Sequence, residues 1–204
     1  MTKYRGPPTP ELERAWEELW WCKFPIKPLN SQSILISPDN GVRFPADKLA
    51  LINRTHDMGD GRTPREAVDG KGGYHAMIDV FHQLHCLNLI RQYTWRDYYR
   101  THAHIVATPP PFHDSDVGIR LHLDHCIETL RLTLMCHGDT TPSLAFNDPE
   151  SPIGIGTDFS AHRKCRNFER IREWTKEHQI QKTHPMNHEP GKEVLGVKEG
   201  GDGS

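Results

Sequence analysis

Asp79-Val80-Phe81-His82-Gln83-Leu84-His85-Cys86-Leu87 lies inside a stretch, Tyr74 to about Arg100, that contains neither Gly nor Pro. Met77, Val80, Phe81, Leu84 and Leu87 recur there at i, i+3 and i+4 spacing, the pattern of one apolar helix face. The spacing predicts a helix from Tyr74 to about Arg100. At about 100° per residue, His82, His85 and Cys86 fall on a flank of that stripe. The stripe can anchor the helix while the flank presents two imidazoles and a thiol to a neighbouring element.

The same five-residue pattern returns at His122-Leu123-Asp124-His125-Cys126. Thr108-Pro109-Pro110-Pro111 must break any helix before Phe112, and a second strong helix is predicted from about Val117 to Cys136. One His-x-x-His-Cys cluster could arise by chance among 14 histidines. Two clusters with the same donors at the same spacing point to metal binding. Six donors are too many for one tetrahedral ion, so either two metals bind or some sulfurs serve another purpose. Cys86 and Cys126 could ligate, or could form a disulfide across two packed helices and leave four imidazoles as the ligand set. Imidazole-rich sites suit copper, zinc, iron or nickel, and only the redox-active ions make an oxidase. Since neutral imidazole is the ligating form, affinity should fall below about pH 6.5. A structural zinc that orders a small core is the competing reading, although the spacing matches no zinc-finger pattern. It also differs from the Cys-x-x-Cys-His of covalent haem attachment.

Around these helices, Thr9, Pro10 and Glu11 read as an N-cap, a first-turn proline and an acidic first turn. Leu12, Trp16, Leu19 and Trp20 follow at helical spacing, so a helix is expected from Pro10 to Trp21. Ser33-Ile34-Leu35-Ile36-Ser37 ahead of Pro38-Asp39-Asn40-Gly41 looks like a short strand entering a turn. Residues 53–73 read as a loop. Phe168, Ile171 and Trp174 mark a further helix from Arg166 to about His178. Residues 181–204, rich in Gly, Lys, Glu and His, read as a flexible tail. The fold expected is mainly α with a small β element, one helical domain whose two His-x-x-His-Cys helices face a metal site.

The hydrophobic fraction of 35% fits a modest core with long irregular connections. A formal net charge of −2 gives no electrostatic reason to bind nucleic acid or an anionic membrane. No window reaches the roughly 18 apolar residues of a membrane segment. Five cysteines, Cys22, Cys86, Cys126, Cys136 and Cys165, leave at least one unpaired within the chain.

In context, Phe81-His82-Gln83-Leu84-His85-Cys86-Leu87 and Leu121-His122-Leu123-Asp124-His125-Cys126-Ile127 resemble the fungal UstYa-like proteins of mycotoxin biosynthesis. Tyr4-Arg5-Gly6-Pro7-Pro8 with Trp16, Gly72-Gly73-Tyr74, Leu130-Arg131, Met135-Cys136, Asp139-Thr140-Thr141 and Cys165-Arg166-Asn167-Phe168 with Trp174 extend the resemblance. It therefore covers most of residues 1–180. It implies an oxidase or oxygenase of secondary metabolism acting on a peptide or small-molecule natural product by oxidative cyclisation, C–H hydroxylation or halogenation. Copper is the implied metal, with zinc or iron as alternatives and dioxygen as co-substrate. His82, His85, His122 and His125 are the implied ligands and catalytic residues, and Cys86 and Cys126 are the motif's cysteines, either ligands or a disulfide. Relatives usually carry a membrane helix ahead of this domain. A secretory or endomembrane lumen is expected if such an anchor belongs to the protein, and the cytoplasm otherwise. A homodimer, or a heterodimer with a related protein, is a further implication, and a non-redox cyclase or zinc scaffold is the rival function.

Several other residues have two readings. His75, seven positions before His82, would share its helical face as an extra ligand or substrate contact, or would hydrogen-bond at a pocket rim. Cys136 could pair with Cys165 or lie in the core. Asp139 could orient an imidazole, although a turn or cap aspartate is the commoner reading. His137 and His162 read as loop residues. Trp16, Trp20 and Trp21 read as packing aromatics.

Overall fold

The structure, a computed structural model, describes residues 2–20, 41–56, 62–67 and 69–180. Helix α1 spans Pro10–Trp20, opened by Thr9, whose Oγ1 accepts the Leu12 backbone N–H at 3.2 Å. Strand β1 (Val42–Phe44) is followed by a 3-10 segment (Ala46–Ile52), and strand β2 (Tyr74–Ala76) leads into helix α2 (Asp79–Thr94) and the short helix α3 (Arg96–Thr101). After a 3-10 turn at Pro110–His113 come helix α4 (Asp116–His137), strands β3 (Ala145–Asn147) and β4 (Ile155–Thr157), and helix α5 (Phe168–Glu177). The architecture is mainly helical with two small antiparallel hairpins, β1 with β2 and β3 with β4.

The expected helix from Tyr74 to Arg100 is shorter at its start and interrupted near its end. Tyr74, His75 and Ala76 pair with Phe44, Arg43 and Val42, and Ile78 is extended, so the helix begins only at Asp79. Cross-strand pairing with β1 overrides the apolar periodicity there. At Trp95 (φ −110°, ψ 16°) the helix breaks and restarts as α3. Helix α4 matches its expected span to within one residue at each end. Ser115 caps it, accepting the Gly118 N–H at 3.0 Å, and Gly138 ends it at φ 43°, in the left-handed region where a side chain is costly. The strand expected at Ser33–Ser37, Trp21 and Cys22, and the tail from residue 181 lie outside the described residues.

Helices α2 and α4 pack against each other to form the core. Cys86 and Leu89 from α2 meet Ile119, Leu123 and Cys126 from α4, with Ile90, Tyr93, Phe112 and Leu130 packed around them. On its other side α2 carries α1. The Glu13 carboxylate accepts from Arg91 at 2.7 and 2.8 Å, from Gln92 at 2.8 Å and from the Tyr99 hydroxyl at 2.7 Å. The start of α5 docks through Phe168 against buried Phe81, ring centroids 6.1 Å apart. Helix α2 is thus gripped on several sides, which fixes the rotation of its histidine flank.

Candidate metal centre

The spacing that puts His82, His85 and Cys86 on one flank of α2 and His122, His125 and Cys126 on one flank of α4 acquires meaning from the helix pairing. The helices run antiparallel, so the first histidine of one cluster faces the second of the other. The rings of His82 and His125 are 5.3 Å apart, and those of His85 and His122 are 5.8 Å apart. Along α2, His82 and His85 lie parallel, with centroids 6.5 Å apart and planes 17° off. Four imidazoles therefore form two rungs across the seam.

The rungs differ in chemistry. His82 Nε2 lies 3.4 Å from His125 Nε2 and 3.7 Å from Cys86 Sγ, and the three donor atoms all fall within 4.8 Å of one another. Donors about 2.0–2.3 Å from one tetrahedral ion are separated by about 3.3–3.7 Å. Two of the three separations already match. Among the described residues this is the trio that converges; His85, His122 and Cys126 lie outside it. In the second rung, His85 is covered by the edge of Trp20, with ring centroids 4.8 Å apart at 66°. His85 Nε2 is buried and has no hydrogen-bond partner among the described residues, as a donor kept for a ligand would be. Burial, and then the neighbouring His122 and His82, lower the His85 pKa to about 4, and burial lowers that of His122. Both are therefore held in the neutral, ligating form at neutral pH.

Cys86 and Cys126 are both 0% exposed and carry free thiols. Of the two roles open to them, the structure places Cys86 beside the imidazoles and Cys126 as its hydrogen-bonding neighbour. That hydrogen bond holds Cys86 below the ordinary thiol range, while donating to Cys86 pushes Cys126 up. The contact with Cys86 in turn raises the His82 pKa. Thiolate character on Cys86 suits a soft or borderline metal.

His75 lies on β2 opposite Arg43, so its seven-residue spacing from His82 does not place it on the cluster face. Its ring instead fills the space above Gly41, where a Cβ would come within 2.0 Å of His75 Nε2. Asp139 is a turn residue, accepting the Thr141 N–H at 2.9 Å and pairing with Arg163 at 3.1 Å. Cys136 and Cys165 are exposed free thiols rather than core residues or a disulfide. His137 is the last residue of α4 rather than a loop residue, His162 lies in a loop, and both are exposed and outside the trio. Sequence reasoning missed Trp20 as the cover of His85 and Asp79 as the carboxylate beside His82. For Asp79 a signal was present, since it precedes His82 by three residues.

A family model described as mycotoxin biosynthesis protein UstYa matches residues 1–178. The chain is 36% identical to UstYa family oxidase phomYc of Diaporthe leptostromiformis over 87% of its own length and 60% of that protein. It is 34% identical to transacylase cctO of Talaromyces islandicus over 88% of its length and 53% of that protein. A third relative, UstYa family oxidase aprY of Aspergillus flavus, is 29% identical over 86% of this chain and 47% of that protein. The chain thus spans between about half and three-fifths of the length of these curated relatives. No solved structure matches it.

Proposed function

The chain belongs to the UstYa family of mycotoxin-biosynthesis proteins, and from that premise we propose that it is a metal-dependent oxidase of fungal secondary metabolism. The convergence of His82 Nε2, His125 Nε2 and Cys86 Sγ carries this reading. We assign these three as the anchoring ligands, with His85 and His122 one turn away as further imidazole donors and Cys126 fixing the Cys86 sulfur by its hydrogen bond. Two or more imidazoles with a thiolate fit copper better than a hard cation and also accommodate zinc or iron. Bound copper would supply one-electron chemistry with dioxygen as co-substrate, the requirement for oxidative cyclisation, hydroxylation or halogenation of a peptide or small-molecule natural product.

The protein's own part is positioning and exclusion. The apolar packing under Cys86 and Cys126 keeps the inner side of the seam dry, while exposed His125 marks the side from which substrate approaches. No helix among the described residues is long and apolar enough to cross a membrane. A relative's transacylase name raises acyl transfer, for which Cys86 with His82 would be the nucleophile pair. Full burial of Cys86 disfavours that role. The deciding experiment is metal analysis of purified protein combined with turnover under air and under nitrogen. Stoichiometric copper with oxygen-dependent product is expected. An active metal-free or zinc-only protein would overturn the oxidase reading in favour of a non-redox cyclase or zinc scaffold.

A further inference from the structure

We propose that Asp79 is the positioning residue of the metal centre, its carboxylate accepting the Nδ1 proton of His82 so that Nε2 is presented to the ion. The inference rests on the metal-binding reading above. His82 uses its two nitrogens in opposite directions. Nε2 faces Cys86 and His125, whereas Nδ1 lies 4.0 Å from Asp79 Oδ1. Asp79 precedes His82 by three residues in the first turn of α2, where i and i+3 side chains share a face. Its second oxygen, Oδ2, accepts the Gln83 side-chain amide, so the carboxylate is held from the far side and kept on this face of the helix.

A ligating histidine commonly donates its other ring N–H to a carboxylate, which fixes tautomer and orientation and makes the imidazole a stronger donor. At 4.0 Å the pair stands outside hydrogen-bond length, and a small rotation of the exposed Asp79 side chain is what would bring Oδ1 onto the Nδ1 proton of the histidine that contacts both other members of the trio. With its side chain 72% exposed, it contributes little to packing, so its removal tests function more than folding. An acidic residue in a first helical turn also favours the helix dipole, and the test must separate that role.

Three proteins decide it: the full chain, Asp79→Ala and Asp79→Glu, each titrated metal-free with Cu(II) against a competing chelator. The His82 tautomer is read in the metal-free proteins by long-range proton–nitrogen NMR. Asp79→Ala is expected to lose 10- to 100-fold in Cu(II) affinity and to shift His82 from the Nδ1–H to the Nε2–H tautomer, with Asp79→Glu restoring most of both. A change in melting temperature with affinity and tautomer unmoved would overturn the proposal and leave only a helix-dipole role. If the unaltered chain binds no Cu(II), the metal reading fails. The His82 tautomer then still accepts or rejects the Asp79 contact by itself.

Discussion

His85 is the histidine whose environment makes the sharpest demand. Its folded pKa is lowered from 6.5 to about 4 by burial and by His122 and His82. Below pH 6.5 the unfolded chain binds a proton here that the folded chain refuses, so stability falls with pH. The contribution is fully present above about pH 6.5, is lost progressively towards pH 4, and amounts to about 3 kcal/mol over the window. His122 acts in the same direction, while the raised pKa of His82 opposes it by favouring the folded protein in acid. Urea melts of metal-free protein between pH 7.5 and 4.5 should show the loss, and His85→Gln should flatten it; an equal slope in both would exclude His85 as its source. The metal-binding hierarchy is a second expectation at this scale. His82→Ala and His125→Ala should each abolish stoichiometric copper binding, while His85→Ala should weaken it less, because only the first two belong to the convergent trio. That distinction was not legible in the sequence, where all four histidines look alike. Their spacing within each helix is local information, but the facing of His82 on His125, 43 residues apart in the chain, depends on the register between two helices.

The two helices α1 and α4 are legible for different reasons: Thr9 marks the start of α1 by capping it, whereas α4 is bounded in the sequence by the proline run ahead of Phe112, its Ser115 and Gly138 caps being apparent only in the structure. Strands of three residues carry too little alternation to be seen, so β2 was absorbed into a helix and the β3–β4 hairpin was not anticipated. The Tyr74–Ala76 error also displaced His75, whose contact with Gly41 arises only from strand pairing. Gly41→Ala should therefore force that imidazole aside and lower the melting temperature, a shift that His75→Ala in the same chain should relieve. The attachment of α1 is equally invisible from local sequence, because Glu13 and its partner Arg91 lie 78 residues apart. Their side chains are only 16% and 12% exposed, so Glu13→Ala leaves a guanidinium, an amide and a buried tyrosine hydroxyl facing an empty position. Breaking such a pair costs roughly 3 kcal/mol or more, to be read from the urea midpoint. Because Trp20 at the end of α1 covers His85, copper affinity should drop as well.

For the molecule as a whole, a small core has to hold an antiparallel helix pair in the register that the donors need. The converging ligands come from both helices, His82 and Cys86 from α2 and His125 from α4, so an ion bound by all three ties together the two elements that form the core. Metal affinity is then also folding stability, since the unfolded chain holds no such trio. At a free metal concentration 100-fold above the dissociation constant the gain is about 2.7 kcal/mol. Removing the metal with a chelator should lower the melting temperature cooperatively, and re-adding copper should restore it. His125→Ala, which deletes the α4 contribution from an exposed position, should retain the metal-free melting temperature of the unaltered chain but lose the copper-dependent rise. A rise that survived loss of both α4 imidazoles, in His122→Ala/His125→Ala, would mean that the ion is held within α2 alone, by His82 and Cys86 one turn apart. The histidine seam would then be a packing feature rather than a clamp.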